Sequence, residues 1–260
     1  HMVFIDRRVP GVMFNHSPDY THHTSEDTVD KVDPVELERE EIIAGATLLY
    51  LSDLDATQAG ELTWLAAANA AQRLGLAGRR ANGMVAALGE SGAAAAFEAF
   101  NVLDRAHDEA RATVSSVRHF RDPAGDTVEH ALAALDAQHA QLRTALRSAV
   151  EAAGIDASAA MAFPGTPDDR IAVRTTRGPI DRNYLLEHLG EEELRWYRSD
   201  ANPVRGDVQF ELHNLLDGST TISEVRNVLS AEFSPVPLAA VTRYVEALES
   251  IDLVRWATRG

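Results

Sequence analysis

The sequence predicts a mainly α-helical chain: a segment with two short apolar runs and a helix start over residues 1–55, an Ala-rich helical bundle over 56–153, a linker with a short strand and helix over 154–205, and a small helical domain with a terminal strand over 206–260. Three observations carry this reading. Apolar residues recur at three- and four-residue steps through most of the chain, which is the period of one helix face. Strand-like apolar runs are few and short. Loop-forming residues (Gly154, Pro164, Gly165, Pro167, Gly178, Pro179) concentrate in one interval and separate the helical region from the C-terminal part.

Composition narrows the function classes. With 260 residues and 45% hydrophobic content the chain can bury one sizeable core or two to three small ones. No run approaches the ~18 apolar residues of a membrane span. The formal net charge of −16 opposes nucleic acid, whose phosphates it would repel. There is no cysteine, which excludes disulfides and thiolate metal sites and leaves localisation open.

Residues 3–6 and 9–14 are apolar runs split by Asp6, Arg7 and Arg8, and they are candidate strands. Two short strands are marginal alone, so they are expected to join a sheet supplied by the rest of a longer protein or by another chain. From His16 to Thr28 the chain gathers His16, His22 and His23 with Asp19, Glu26 and Asp27. Imidazole and carboxylate are the ordinary ligands of a borderline cation such as zinc. A loop between a strand and a helix is where α/β enzymes place their sites.

The segment 1–34 resembles the end of the catalytic domain of the two-zinc aminopeptidases, the family of leucine aminopeptidase and plasma glutamate carboxypeptidase. The residues that carry the resemblance are His1-x-x-Phe4, Val9-Pro10 and His23-Thr24-Ser25-Glu26-Asp27-Thr28, followed by a helix. His22 departs from the family pattern, which has Tyr there. The resemblance implies that residues 1–55 are the C-terminal edge of an α/β zinc-peptidase domain and that His23 is the last zinc ligand. It places His22, Asp19, Asp27 and His1 in the substrate loop or behind the ligand, with Asp27 and Asp19 the nearest carboxylates to orient the imidazole. His1 stands at the His of a Ser-Asp-His pattern, as a native residue or as a tag remnant. Adjacent residues on an extended loop point apart, so His22 and His23 are expected to face opposite ways.

The same resemblance implies two zinc ions sharing a carboxylate, and a metal-bound water that attacks a peptide amide. Its other ligands, a His-x-Asp, a Glu-Glu pair and a further acid, would lie upstream. The chain therefore reads as the C-terminal portion of a parent aminopeptidase that removes N-terminal residues from a peptide substrate, and as inactive alone. The alternative is a non-catalytic helical protein–protein interaction module.

The remaining elements follow in order. Asp33-Pro34-Val35-Glu36 starts a helix, with Asp33 as cap and Pro34 at the first position. Leu37, Ile42, Ile43, Ala46 and Leu49 are expected to line its inner face. Gly75, Gly78, Gly83, Gly89 and Gly92 are expected to divide the next region into shorter helices. Leu103 to Phe120 and Leu132 to Val150 form two apolar seams around an Asp122–Asp126 turn, an antiparallel helical hairpin. His139 lies on the second seam as a packed histidine. His107, His119 and His130 are near the turn, where they could meet, but read most simply as surface residues.

Ile171–Arg174 is a candidate strand and 184–197 a single short helix. Residues 207–257 resemble, in helix lengths and turns, the small winged-helix peptide-binding domains that accompany some modifying enzymes. Asp217-Gly218 closes one helix, Thr221 and Glu224 box the start of the next, Pro237 opens a third, and Leu253–Trp256 is a final strand. The third helix carries Arg243 against Glu246 and Glu249, which is not the basic stripe of a DNA-reading helix.

Overall fold

The computed structural model describes residues 11, 13–15, 17–87 and 92–257. The expected strand at 3–6 lies outside them, and the described residues of 9–14 are not in a strand. Helix α1 (Pro34–Ser52) starts where its cap signal predicts: the Asp33 carboxylate accepts the Val35 and Glu36 N–H groups at 2.8 and 3.4 Å. Its expected inner face is not an inner face. No residue of α1 is buried, and Ile42, Leu48 and Leu49 are 61%, 66% and 74% exposed.

Helix α2 (Ala56–Ala86) opens on a reciprocal capping box between Asp55 and Gln58. It runs unbroken through Gly75, Gly78 and Gly83, which corrects the expectation that glycines would divide it. Each glycine costs a helix about 1 kcal/mol relative to Ala, and burial of Leu74, Ala81 and Val85 offsets that. Gly78 also serves close approach: a Cβ there would meet the Leu142 side chain at 2.9 Å. Gly89 lies outside the described residues.

Helix α3 (Gly92–Ser115) and helix α4 (Thr127–Ala152) form the expected antiparallel hairpin. Buried Val114 shares one cluster with Val128, and Leu103 shares another with Leu146. With α2 they make a three-helix bundle, and α5 (Ala157–Met161) packs Ala157 and Ala160 beneath it. Phe120, expected on the first seam, is exposed. From Ala96 to Leu103 every residue of α3 is buried, because a second body covers the face that the bundle leaves open.

That second body comprises β1 (Ile171–Arg174), α6 (Arg182–His188), α7 (Glu191–Arg198), α8 (Asp207–Leu215), β2 (Asp217–Thr221), α9 (Ile222–Glu232), α10 (Leu238–Glu249) and β3 (Val254–Trp256). The sheet is antiparallel with order β2-β1-β3; Ile171 pairs with Thr221 and Val173 with Arg255. The segment read as a linker instead supplies the central strand and, through Ile180, Leu185, Leu189, Tyr197 and Val204, much of the core shared with Leu212, Leu229, Val241 and Tyr244. The helix expected over 184–197 is two helices, broken at Leu189 and Gly190. Asp217-Gly218 begins a strand rather than only ending a helix. Thr221 and Glu224 form the capping box as predicted.

The two bodies meet through α3 and α9. Arg226 lies at the centre, bonded to Glu98 of α3 and donating from Nε to the Val236 carbonyl at 2.8 Å. Its guanidinium stands over the Phe97 and Phe163 rings. Asn101 donates to the Asn227 carbonyl at 2.8 Å and Arg80 to the Ala231 carbonyl at 2.7 Å.

Candidate functional site

The loop ahead of α1 is built from hydrogen bonds between close neighbours. Asp19 Oδ1 accepts from the Thr21 N–H and hydroxyl, both at 3.0 Å, and from the His22 N–H at 3.1 Å. The Thr21 N–H, followed by its hydroxyl, holds the Asp19 carboxyl below the usual carboxylate range. The Thr24 hydroxyl donates back to the Thr21 carbonyl at 2.6 Å and accepts the Glu26 N–H at 3.2 Å. Such side-chain bonds to nearby backbone are what Asp and Thr contribute to turns.

His23 adopts a left-handed backbone, φ 62°, a region in which His is enriched among non-glycine residues. This fold-back overturns the expectation that His22 and His23 face opposite ways. Their ring centroids lie 3.8 Å apart, inclined by 37°. Both are exposed. Asp19 is occupied by Thr21 and His22 rather than by the His23 ring. Asp27 is exposed and makes no side-chain hydrogen bond with any described residue. His1 and His16 lie outside the described residues.

Among the described residues no group of three or more His, Asp or Glu side chains converges as metal ligands. The loop brings together two imidazoles, and four-coordinate zinc takes three or four protein ligands. The described residues therefore do not by themselves fit a zinc centre.

Two of the hairpin's histidines do meet. His107 stacks on His139 rather than joining His119 or His130. His107 Nε2 is 2.7 Å from Asp136 Oδ1, and His139 Nε2 is 2.7 Å from Asp104 Oδ1. Both rings are thus held by carboxylates that Arg111 and Arg143 also grip.

A third constellation escaped sequence reading. A cleft in the C-terminal body is bounded by Arg174, Arg182, Arg198 and Arg205, contributed by β1, α6, α7 and the loop before α8. Beneath it His213 is buried, with Nε2 2.9 Å from the Tyr244 hydroxyl. Burial, with a smaller contribution from the Arg174 charge, pushes the His213 pKa down to about 4 and keeps the ring neutral. The one sequence signal was local charge. Residues 170–205 carry seven arginines against six carboxylates, in a chain whose net charge is −16.

Comparison with family models, with curated proteins and with solved structures finds no match to this chain. No helix of the described residues is long and apolar enough to cross a membrane.

Proposed function

We propose that this chain is the C-terminal portion of a zinc aminopeptidase, and that α1 with the loop before it completes a catalytic α/β domain formed mainly by upstream residues. One observation supports this above the others. A helix with four Leu and two Ile, capped by Asp33 and separated from the His-Thr-x-x-Asp-Thr loop only by residues 29–33, buries none of its residues. Apolar helix faces exist to pack against something, and a sheet carrying the remaining ligands is the partner that the sequence resemblance supplies. In this reading His23 is a zinc ligand, and His22, whose ring lies against it, fixes its orientation. The bundle and the C-terminal body, whose helices α8, α9 and α10 and small antiparallel sheet we read as winged-helix-like, are appendages to the enzyme.

The exposed α1 face equally supports the second reading, a non-catalytic module that docks on another protein through that helix. The decisive experiment uses the full-length parent. His23→Ala should lose about one metal ion per site and most aminopeptidase activity, because a missing ligand opens the coordination sphere. His22→Ala is the register control: metal loss there with retention in His23→Ala places the ligand one residue earlier. If neither variant loses metal, the interaction module replaces the peptidase. The chain of 260 residues alone should show no turnover of aminoacyl chromogenic substrates with zinc added.

A further inference from the structure

We propose that the cleft bounded by β1, α7 and α8 binds a small polyanion, a ligand carrying phosphate or several carboxylate groups. The cleft has a volume of about 430 Å³, in the range of small-molecule sites. Four arginines line it and no Asp or Glu does, although carboxylates outnumber cations 40 to 24 in the chain.

The charges of Arg182, Arg198 and Arg205 are left largely uncompensated by the described residues. Arg174 is half-buried and donates to the Gly178 carbonyl at 3.1 Å, which fixes its position. Arg205 reaches Asp200 at 3.3 Å, but Asp200 is fully exposed, and an exposed pair of this kind contributes little. Arg182 and Arg198 make no ion pair with any described residue.

A second, independent feature points the same way. Helix α8 begins at the cleft on Gly206, whose backbone is left-handed and which offers no side-chain cap. The first N–H groups of a helix lack intrahelical partners and attract anions. Below them the neutral His213 leaves the positive field to the arginines. Exposed Phe210 supplies an apolar surface at the mouth for the body of a ligand. A long polyanion such as nucleic acid is disfavoured, because beyond the cleft it would meet the negative charge of the whole chain. The geometry therefore selects a compact ligand. This assignment is independent of the peptidase reading.

The test is titration calorimetry of the full chain with inorganic pyrophosphate and with tricarballylate, at matched ionic strength. At least one should bind with one-to-one stoichiometry. Binding of pyrophosphate alone assigns phosphate as the recognised group, and binding of tricarballylate alone assigns carboxylate. Arg198→Gln and Arg205→Gln should each weaken the affinity by about tenfold, as expected for loss of a charge-assisted bond. Arg39→Gln, on α1, should change nothing. Arg174→Gln should weaken binding further, and the two exposed variants keep the test valid if that one fails to fold. Absence of binding by either probe in the millimolar range overturns the proposal. So does unchanged binding in the Arg198→Gln/Arg205→Gln double variant.

Discussion

The imidazoles of His107 and His139 lie face to face, centroids 4.0 Å apart and planes within 2° of parallel. Their surroundings repeat. Asp104, His107 and Arg111 on α3 have the same spacing as Asp136, His139 and Arg143 on α4. Because the helices are antiparallel, each Asp faces the other helix's His, and the six residues form a local two-fold arrangement.

Asp136→Asn should loosen the hairpin. It removes the negative charge shared by Arg111 and His107 and replaces one of the two acceptor oxygens with an NH2 donor. The carboxylate is about half exposed, so solvent screening keeps the cost to about 1 kcal/mol or less. Arg111, chiefly, holds the Asp136 pKa below its ordinary value. A depressed acid pKa contributes stability above the unfolded value, and that stability is lost as pH falls through the folded value. Thermal unfolding at neutral pH should therefore show a lower Tm for the variant, with the difference vanishing in strong acid.

Arg226→Met should be costlier. It leaves Glu98 buried between the bundle and the C-terminal body, with Oε2 already lacking a hydrogen-bond partner. Breaking a buried pair from one side costs about 3–5 kcal/mol. The double variant Glu98→Gln/Arg226→Met should recover much of the loss, since no charge then remains buried. Urea unfolding of the two variants and the wild type checks this; equal losses in the single and double variants would refute it.

Acid should weaken the C-terminal body through His213. The ring titrates at about 4 in the fold against 6.5 as its ordinary value. Between those values the unfolded chain binds the extra proton, so stability falls as pH drops through that window, by up to about 3 kcal/mol at its lower end. His213→Gln keeps a polar partner for Tyr244 and has no titration. Its stability relative to wild type should rise steadily as pH is lowered from 6.5 to 4, measured by urea midpoints at several pH values.

Gly60→Ala and Gly78→Ala should diverge. Nothing lies within 4 Å of a Cβ built at Gly60, so the substitution should raise stability by about 0.5–1 kcal/mol through helix propensity and reduced unfolded-state entropy. At Gly78 the added methyl meets Leu142, and repacking should cancel that gain. Paired melting curves separate the two.

Local chemistry made several of these elements legible. Asp33 with Pro34, and Thr221 with Glu224, announce their helices through bonds that span three residues. The hairpin seams announce themselves by period. The sheet was less legible, because β2 is Asp217-Gly218-Ser219-Thr220-Thr221, a turn-like composition held extended by the ladder to β1. Continuity of α2 through its glycines depends on neighbours distant in sequence. At the candidate site the residues were legible and their geometry was not: a single left-handed φ at His23 turns two rings toward each other, and no pattern of residue types encodes that angle. The four cleft arginines come together only through the fold of the segment read as a linker.

The central position of β1 also sets an order of events during synthesis. Val173 pairs with Asp217 on one side and with Arg255 on the other, so the sheet closes only after residue 256 has left the ribosome. The three-helix bundle closes through its short-turn hairpin and emerges first. Local contacts form quickly, and distant strand pairings wait on loop closure. The nascent chain thus presents a finished bundle while β1 still exposes both of its edges, and the face of α3 that carries Phe97, Glu98 and Asn101 is the surface on which the later body can assemble.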